Sequence, residues 1–237
     1  MIRLFISNDL QTKKSFILDD KALHYLSHVM RQKTGDEILC FNGKDGEWLC
    51  GIEKIEKKSL TLIPQKQIRK QTCDSFCALC PALIKKDNMD IVLQKATELG
   101  VSDIYPLVTD YTVVRHFNLT HAESIVREAS EQSERLTVPH IHSPISIKEL
   151  FRLLPEKCAC CYLSEREDNI VAPDITTNSV AFLVGPEGGW SPTEKESFRK
   201  NDHFLPIHFP GGILRAETAS IAILSCWKIG RFLPWKK

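Results

Sequence analysis

Residues 181–198 read AFLVGPEGGWSPTEKESF, residues 203–212 read HFLPIHFPGG, and residues 213–224 read ILRAETASIAIL. Ala181–Val184 is an apolar run closed by Gly185-Pro186, the pattern of a strand buried on both faces of a parallel sheet. Gly188-Gly189 permits positive φ and lets another group approach the main chain. Ser191-Pro192-x-Glu194 then marks a helix start: Ser as cap, Pro at the first helical position, Glu three residues after the cap. A glycine turn thus lies between a strand end and a helix N-terminus, where ligands collect in open α/β sheets.

Phosphate is the first ligand to weigh at such a place. No Lys follows the glycines as in GxxxxGK[ST], and GxGxxG is absent from the chain. A ligand read by backbone groups fits better. Pro210-Gly211-Gly212 forms a second tight loop, and Ile213-Leu214 supplies apolar walls. Arg215, Glu217 and Thr218 then put a cation, a carboxylate and a hydroxyl at the start of a helix. An ordinary βα turn followed by a buried C-terminal helix accounts for the pattern equally well.

Gly185-Pro186-Glu187-Gly188-Gly189 with Ile213-Leu214-Arg215-x-Glu217-Thr218-Ala219 resembles the SPOUT superfamily of RNA methyltransferases. More narrowly, the chain resembles the family that methylates N3 of a uridine near the 3′ end of 16S ribosomal RNA. The likeness runs nearly end to end. It takes in Arg3-Leu4-Phe5, His24-Tyr25-Leu26, Val29-Met30-Arg31 and Gly35-Asp36, then Lys95–Val101, Glu128–Ser133 with Arg135, and Val138-Pro139. The resemblance implies an α/β chain of two domains. Residues 1–70 would be a PUA-like RNA-binding β-barrel and residues 73–237 a SPOUT methyltransferase domain, its knot and cofactor site at about 160–220. Chain-threading rules alone give no knot, so the trefoil knot rests on the resemblance.

The cofactor so implied is S-adenosylmethionine, with no metal. Its pocket would be built from the loop after Leu163, then Gly185, Pro186, Glu187, Gly188 and Gly189. The third loop would supply Ile207, Phe209, Gly211, Gly212, Ile213, Leu214, Thr218 and Ala219. RNA-facing residues would be Arg3, Arg31, Arg115 and Arg135. A homodimer formed through the knotted face, and 16S ribosomal RNA within the small ribosomal subunit, would be the partners.

Composition sets looser bounds. The 237 residues allow one or two cored domains, and a net charge of +1 does not announce a polyanion partner. No apolar run approaches the roughly 18–20 residues of a membrane span. MIRLFISNDLQTKK lacks the apolar core of a signal peptide, so the nine cysteines are expected as free thiols in a reducing cytoplasm. Cys77-x-x-Cys80 and Cys158-x-Cys160-Cys161 have near-zinc spacing, but they sit in the runs FCALCPAL and CACCYL, which read as buried strands. His24 and His28 are spaced i, i+4 without HExxH or a third ligand, so surface or packing roles are expected.

Along the chain, Ile2–Ile6, Phe16–Leu18, Ile38–Phe41, Glu47–Ile52 and Ser59–Ile63 read as strands. Asp19 or Asp20 caps a helix from Lys21 to Lys33, and Asn42–Gly46 is a hairpin turn. Pro64–Thr72 reads as a linker and domain boundary. Beyond it strands and helices alternate, as in a parallel α/β sheet: Phe76–Leu83, a helix capped by Asp87 or Asn88 through Leu99, and Val101–Val108. Capping boxes at Thr120-x-x-Glu123 and Ser146-x-x-Glu149 open two helices, the first to about Arg135. Cys158–Leu163, the pivotal strand and turn, Phe204–Ile207 and a helix Thr218–Phe232 complete the series.

For methyl transfer to uridine N3, loss of the N3 proton spreads negative charge over two carbonyl oxygens. Arg215 is the candidate cation to stabilise it, and Glu217 the candidate proton acceptor or orienter of Arg215. Glu217 reads equally as a carboxylate favoured by a helix N-terminus. The chain departs from the family pattern at Gly212, Phe209-Pro210, Tyr111-Thr112 and His121-Ala122, losing three arginines. The competing readings are a SPOUT methyltransferase acting at another RNA position and a ribosome-binding protein without catalysis.

Overall fold

The computed structural model describes residues 1–72, 75–164, 179–209 and 212–232. They fall into two compact units, Met1–Cys73 with Ser130–Val138, and Asp74–Ala129 with Pro139–Lys237.

The first unit is built on a five-stranded sheet. It comprises β1 (Arg3–Phe5), β2 (Phe16–Leu18), β3 (Glu37–Phe41), β4 (Glu47–Ile55) and β5 (Leu60–Arg69), in the order β1-β3-β4-β5-β2. β1 runs parallel to β3 and the other pairs are antiparallel. Leu26, Ile38, Cys40, Cys50, Leu60 and Leu62 are fully buried at its core. The Asn42–Gly46 turn forms as the sequence suggests, with Asn42 Oδ1 accepting from the amides of Lys44 and Asp45. Asp19 caps α1 (Asp20–His24), which continues as one π turn, Tyr25–Val29, and stops short of Lys33.

The linker reading of Pro64–Thr72 is overturned, because Pro64–Arg69 is the second half of β5. It pairs with Glu47–Cys50 of β4, while on its other side β2 covers only Leu60–Leu62 and Lys13 N donates to the Pro64 carbonyl at 2.8 Å. An edge segment of this kind keeps a solvated face, so its polar residues hide the strand. Pro64 falls beyond the end of β2, where no neighbour needs its missing N–H.

The second unit carries a six-stranded parallel sheet of β6 (Phe76–Pro81), β7 (Asp103–Ile104), β8 (His140–Ile141), β9 (Ala159–Leu163), β10 (Ser179–Val184) and β11 (Phe204–Ile207). Their spatial order is β11-β9-β10-β6-β7-β8. Ala181, Phe182 and Leu183 are wholly buried, as a central parallel strand requires. The helices are α2 (Lys86–Leu99), α3 (Leu119–Gln132), α4 (Ile147–Leu153), α5 (Pro192–Arg199) and α6 (Ala216–Phe232). Both Ser146 and Ser191 form complete capping boxes. The cysteines of β6 and β9 are buried in the sheet, where burial pushes the Cys161 thiol up to about 12.

Three boundaries differ from expectation. α2 is preceded by Lys85 without a side-chain cap, and Asp87 lies in its first turn, where the dipole still favours it. Asn118, not Thr120, caps α3, its Oδ1 accepting from His121 N at 3.0 Å. Val101–Val108 shrinks to β7 and one bridging residue, Leu107, because Pro106 interrupts the ladder. No helix among the described residues is long and apolar enough to cross a membrane.

Candidate functional site: a cavity at the carboxyl ends of the parallel strands

β6, β7 and β8 follow one another to one side of β10, whereas β9 and β11 lie on its other side. β10 therefore stands at the topological switch of the sheet, and a crevice is expected outside its carboxyl end. A cavity of about 590 Å³ opens there, within the ~300–1,000 Å³ range of small-molecule sites. The turn after β10 gives it Gly185, Pro186, Glu187, Gly188 and Gly189, the end of β9 gives Leu163 with Ser164 just beyond it, Ile213, Leu214 and Arg215 come from the residues before α6, and Ala219 from α6 itself. A contiguous pocket of about 80 Å³ shares Leu163, Ser164, Ile213, Leu214 and Ala219, and adds Ile207, His208, Phe209 and Gly212.

The glycine turn is fixed by what surrounds it. Gly189 has φ of +69°, a conformation costly for a residue with Cβ. A Cβ on Gly188 would sit 3.2 Å from Tyr111 Cβ, and one on Gly185 would sit 3.2 Å from the Trp190 ring. Trp190 is itself buried, donates from Nε1 to the Leu163 carbonyl at 2.7 Å, and packs edge-on against Phe198. It ties the end of β9 to the turn after β10. Buried Glu194 accepts from the amides of Ser191 (2.8 Å) and Asp110 (2.9 Å), while Ser191 Oγ donates to Asp110 Oδ2. This network holds Tyr111 over Gly188. It also occupies the amide donors of Ser191 and Glu194, so the start of α5 is not free to cradle a phosphate.

The structure brings most of the sequence-derived cofactor residues to one wall and leaves others off it. Thr218 and Glu217 line neither pocket, and Glu217 lies in the first turn of α6. That place suits a carboxylate favoured by the helix dipole. Arg215 lies on the cavity wall, exposed. Gly211 and the chain from 165 to 178 lie outside the described residues.

Arg3 also requires correction. It is 9 % exposed, donates to Glu47 and to the carbonyls of Ser130 and Arg135, and lies 3.9 Å over the Phe41 ring. A guanidinium so enclosed fastens the first unit and is not presented to RNA. Arg31 and Arg115 are exposed, and Arg135 is half-buried with Nη2 on Thr137.

Sequence reasoning put the loop after Leu163 in the pocket without singling out Ser164, met Tyr111 only as a departure from the family pattern, and missed Trp190. Ser164 is 4 % exposed, its Oγ has no hydrogen-bond partner among the described residues, and it borders both pockets. A buried hydroxyl left unpaired costs about 1–3 kcal/mol, so a ligand atom is its natural complement. S-adenosylmethionine fits this donor set: glycine main chain, apolar walls and a buried hydroxyl. Ser164→Ala is expected to weaken its binding about 5- to 10-fold in calorimetry, the value of one hydrogen bond. Unchanged affinity would show that the hydroxyl plays no part.

Comparison with known proteins gives the following. A family model described as an RNA methyltransferase domain matches residues 73–228, and one described as an RNA methyltransferase PUA domain matches residues 18–65. Ribosomal RNA small subunit methyltransferase E of Rickettsia conorii is 33% identical over 227 residues, covering 94% of this chain and 93% of that protein. The protein of the same name from Buchnera aphidicola subsp. Schizaphis graminum is 30% identical, covering 96% and 95%. A crystal structure of Ribosomal RNA small subunit methyltransferase E from Neisseria gonorrhoeae bound to S-adenosyl methionine superposes with a TM-score of 0.88 at 26% identity, covering 97% of each chain. A putative methyltransferase from Legionella pneumophila in complex with the cofactor gives a TM-score of 0.86 at 26% identity, again over 97% of each chain.

Proposed function

This chain belongs to the RNA methyltransferase family, and we propose that it methylates N3 of a uridine in 16S ribosomal RNA with S-adenosylmethionine as donor. The observation that carries the reading is the cavity at the switch point of the sheet, where the glycine turn, the Ser164 hydroxyl and Arg215 converge. When bound, the cofactor supplies an activated methyl group on a sulfonium. The protein has to position both substrates and stabilise charge.

Gly185–Gly189, Leu163 and Ile213–Leu214 hold the donor through main-chain groups and apolar contact. Arg215 faces the uracil carbonyls as N3 loses its proton and negative charge spreads onto them. Glu187 is the single carboxylate among the described lining residues, and with Glu217 in the first turn of α6 it is a candidate to accept the N3 proton. The target base leaves its stack to reach the cavity. Arg31, Arg115 and Arg135 contact RNA phosphates. In this reading residues 1–70 are a PUA-like barrel and residues 73–237 a SPOUT domain with a trefoil knot, acting as a homodimer on the small ribosomal subunit in the cytoplasm.

The test is direct. The protein is incubated with methyl-labelled donor and small subunits from cells lacking the activity, and the product is mapped by mass spectrometry. One methyl at a uridine N3 is expected. A methyl on ribose, or binding without transfer, would refute the assignment.

A further inference from the structure

A second cavity, of about 240 Å³, lies in the second unit apart from the cofactor pocket. Leu83, Met89, Leu93, Phe117 and Ala122 form its apolar walls, and Asp90 and His121 are among its polar groups. An apolar cavity of about 150 Å³ takes up a benzene ring, so a single six-membered heterocycle has room here. Asp90 accepts at Oδ2 from Lys86 Nζ (2.6 Å) and from His121 Nε2 (2.9 Å). Burial pushes its pKa up, but those two bonds prevail and hold it below the usual carboxylate value. The site therefore presents an ionised acceptor at the edge of an apolar slot, and a carboxylate has lone pairs for further donors.

Two observations point to nucleic acid as the source of that ring. Lys86 and His116 line the cavity, and the exposed Lys85 and Arg115 adjoin them in sequence, so positive charge is at hand for a phosphate. One loop also serves both cavities. Tyr111 lines the cofactor cavity and Val114 lines this one, and three residues span at most about 11 Å. A nucleotide with its base at the cofactor cavity thus has its chain neighbours close to the second.

Resting on the RNA methyltransferase reading, we propose that this cavity receives a second splayed base of the substrate, a cytosine whose exocyclic amino group is read by Asp90. The base enters against Phe117, and the Asp90 carboxylate accepts from its N4 amino group. Lys86 and His121 keep that carboxylate charged and oriented. The cavity is a specificity site and takes no part in bond making.

The experiment uses the full chain with cytidine, uridine and adenosine as probes in NMR titrations, and small subunits in methylation assays. Cytidine is expected to shift resonances around Ala122 and to bind several-fold more tightly than uridine. Ala122→Trp, which fills the slot, is expected to abolish those shifts and raise KM for the RNA substrate about tenfold, with kcat and the Kd for S-adenosylmethionine unchanged. Asp90→Asn, a change that leaves the slot open, is expected to remove the preference for cytidine. Wild-type KM in Ala122→Trp, or equal affinity for uridine and cytidine, overturns the proposal. Should Ala122→Trp fail to fold, the Asp90→Asn preference decides. Cytidine binding by a wild-type protein that transfers no methyl would refute the methyltransferase reading and leave the cavity site standing.

Discussion

Arg215→Ala is expected to lower kcat for methyl transfer about 10²–10³-fold, the usual cost of removing one group that stabilises developing charge. Arg215 lies on the cavity wall immediately before α6 and is exposed. Among the described residues no carboxylate pairs with it, so its charge is available to a ligand. In the ground state uracil is neutral and the guanidinium contributes little. As the N3 proton departs, the carbonyl oxygens gain charge, and a cation fixed beside them acts mainly on the transition state. The Kd for S-adenosylmethionine is therefore expected to stay within a few-fold of wild type, while single-turnover transfer slows. Arg215→Lys keeps the charge and loses the planar fork, so an intermediate rate is expected. If alanine weakened cofactor binding as much as it slowed transfer, Arg215 would be holding the donor, and the charge-stabilising role would fall.

What the sequence made legible is what depends on near neighbours. The apolar run Ala181–Val184, the glycine turn and the capping boxes at Ser146 and Ser191 are written within a few residues, and all of them form. What stayed hidden depends on partners far away in the chain. Polar Pro64–Arg69 is a strand because β4 lies beside it. Arg3 carries no mark of burial, since its partners at Glu47, Ser130 and Arg135 are brought to it by the fold. Ser164 is an undistinguished serine until burial strips it of water and leaves its hydroxyl unpaired at the cavity. Tyr111 gains its place through its neighbour Asp110, whose amide is held by a carboxylate, Glu194, eighty-four residues further along the chain. For Glu217 the pattern fitted two roles, and its place in the first turn of α6 suits the helix-dipole one.

The largest effect on stability is expected at Glu47. Its side chain is 5% exposed and receives Arg3 Nε at one oxygen, Arg69 Nε at the other (2.7 Å), and Arg69 Nη2 at 3.0 Å. Arg3 and Arg69 in turn donate to the carbonyls of Ser130, Glu134 and Arg135, so this one carboxylate bridges the two cations that bind the 130–138 segment into the first unit. Glu47→Ala leaves Arg3 buried without a counter-charge, which typically costs about 3–5 kcal/mol. Urea unfolding of the first unit should show a loss of that size at neutral pH, with Leu62→Ala as a cavity control. The pH dependence has a definite sign. Burial raises the Glu47 pKa, but the hydrogen bonds from Arg69 and Arg3 outweigh it, and the folded value lies below the ordinary one. The unfolded chain thus binds the proton more readily than the folded one. The contribution is complete above the ordinary glutamate value of about 4.3 and declines as pH falls through the lower folded value. The gap in unfolding free energy between wild type and Glu47→Gln should therefore narrow below about pH 4. A gap that stayed constant down to the acid transition would mean that Glu47 stabilises the unit by packing and not by charge.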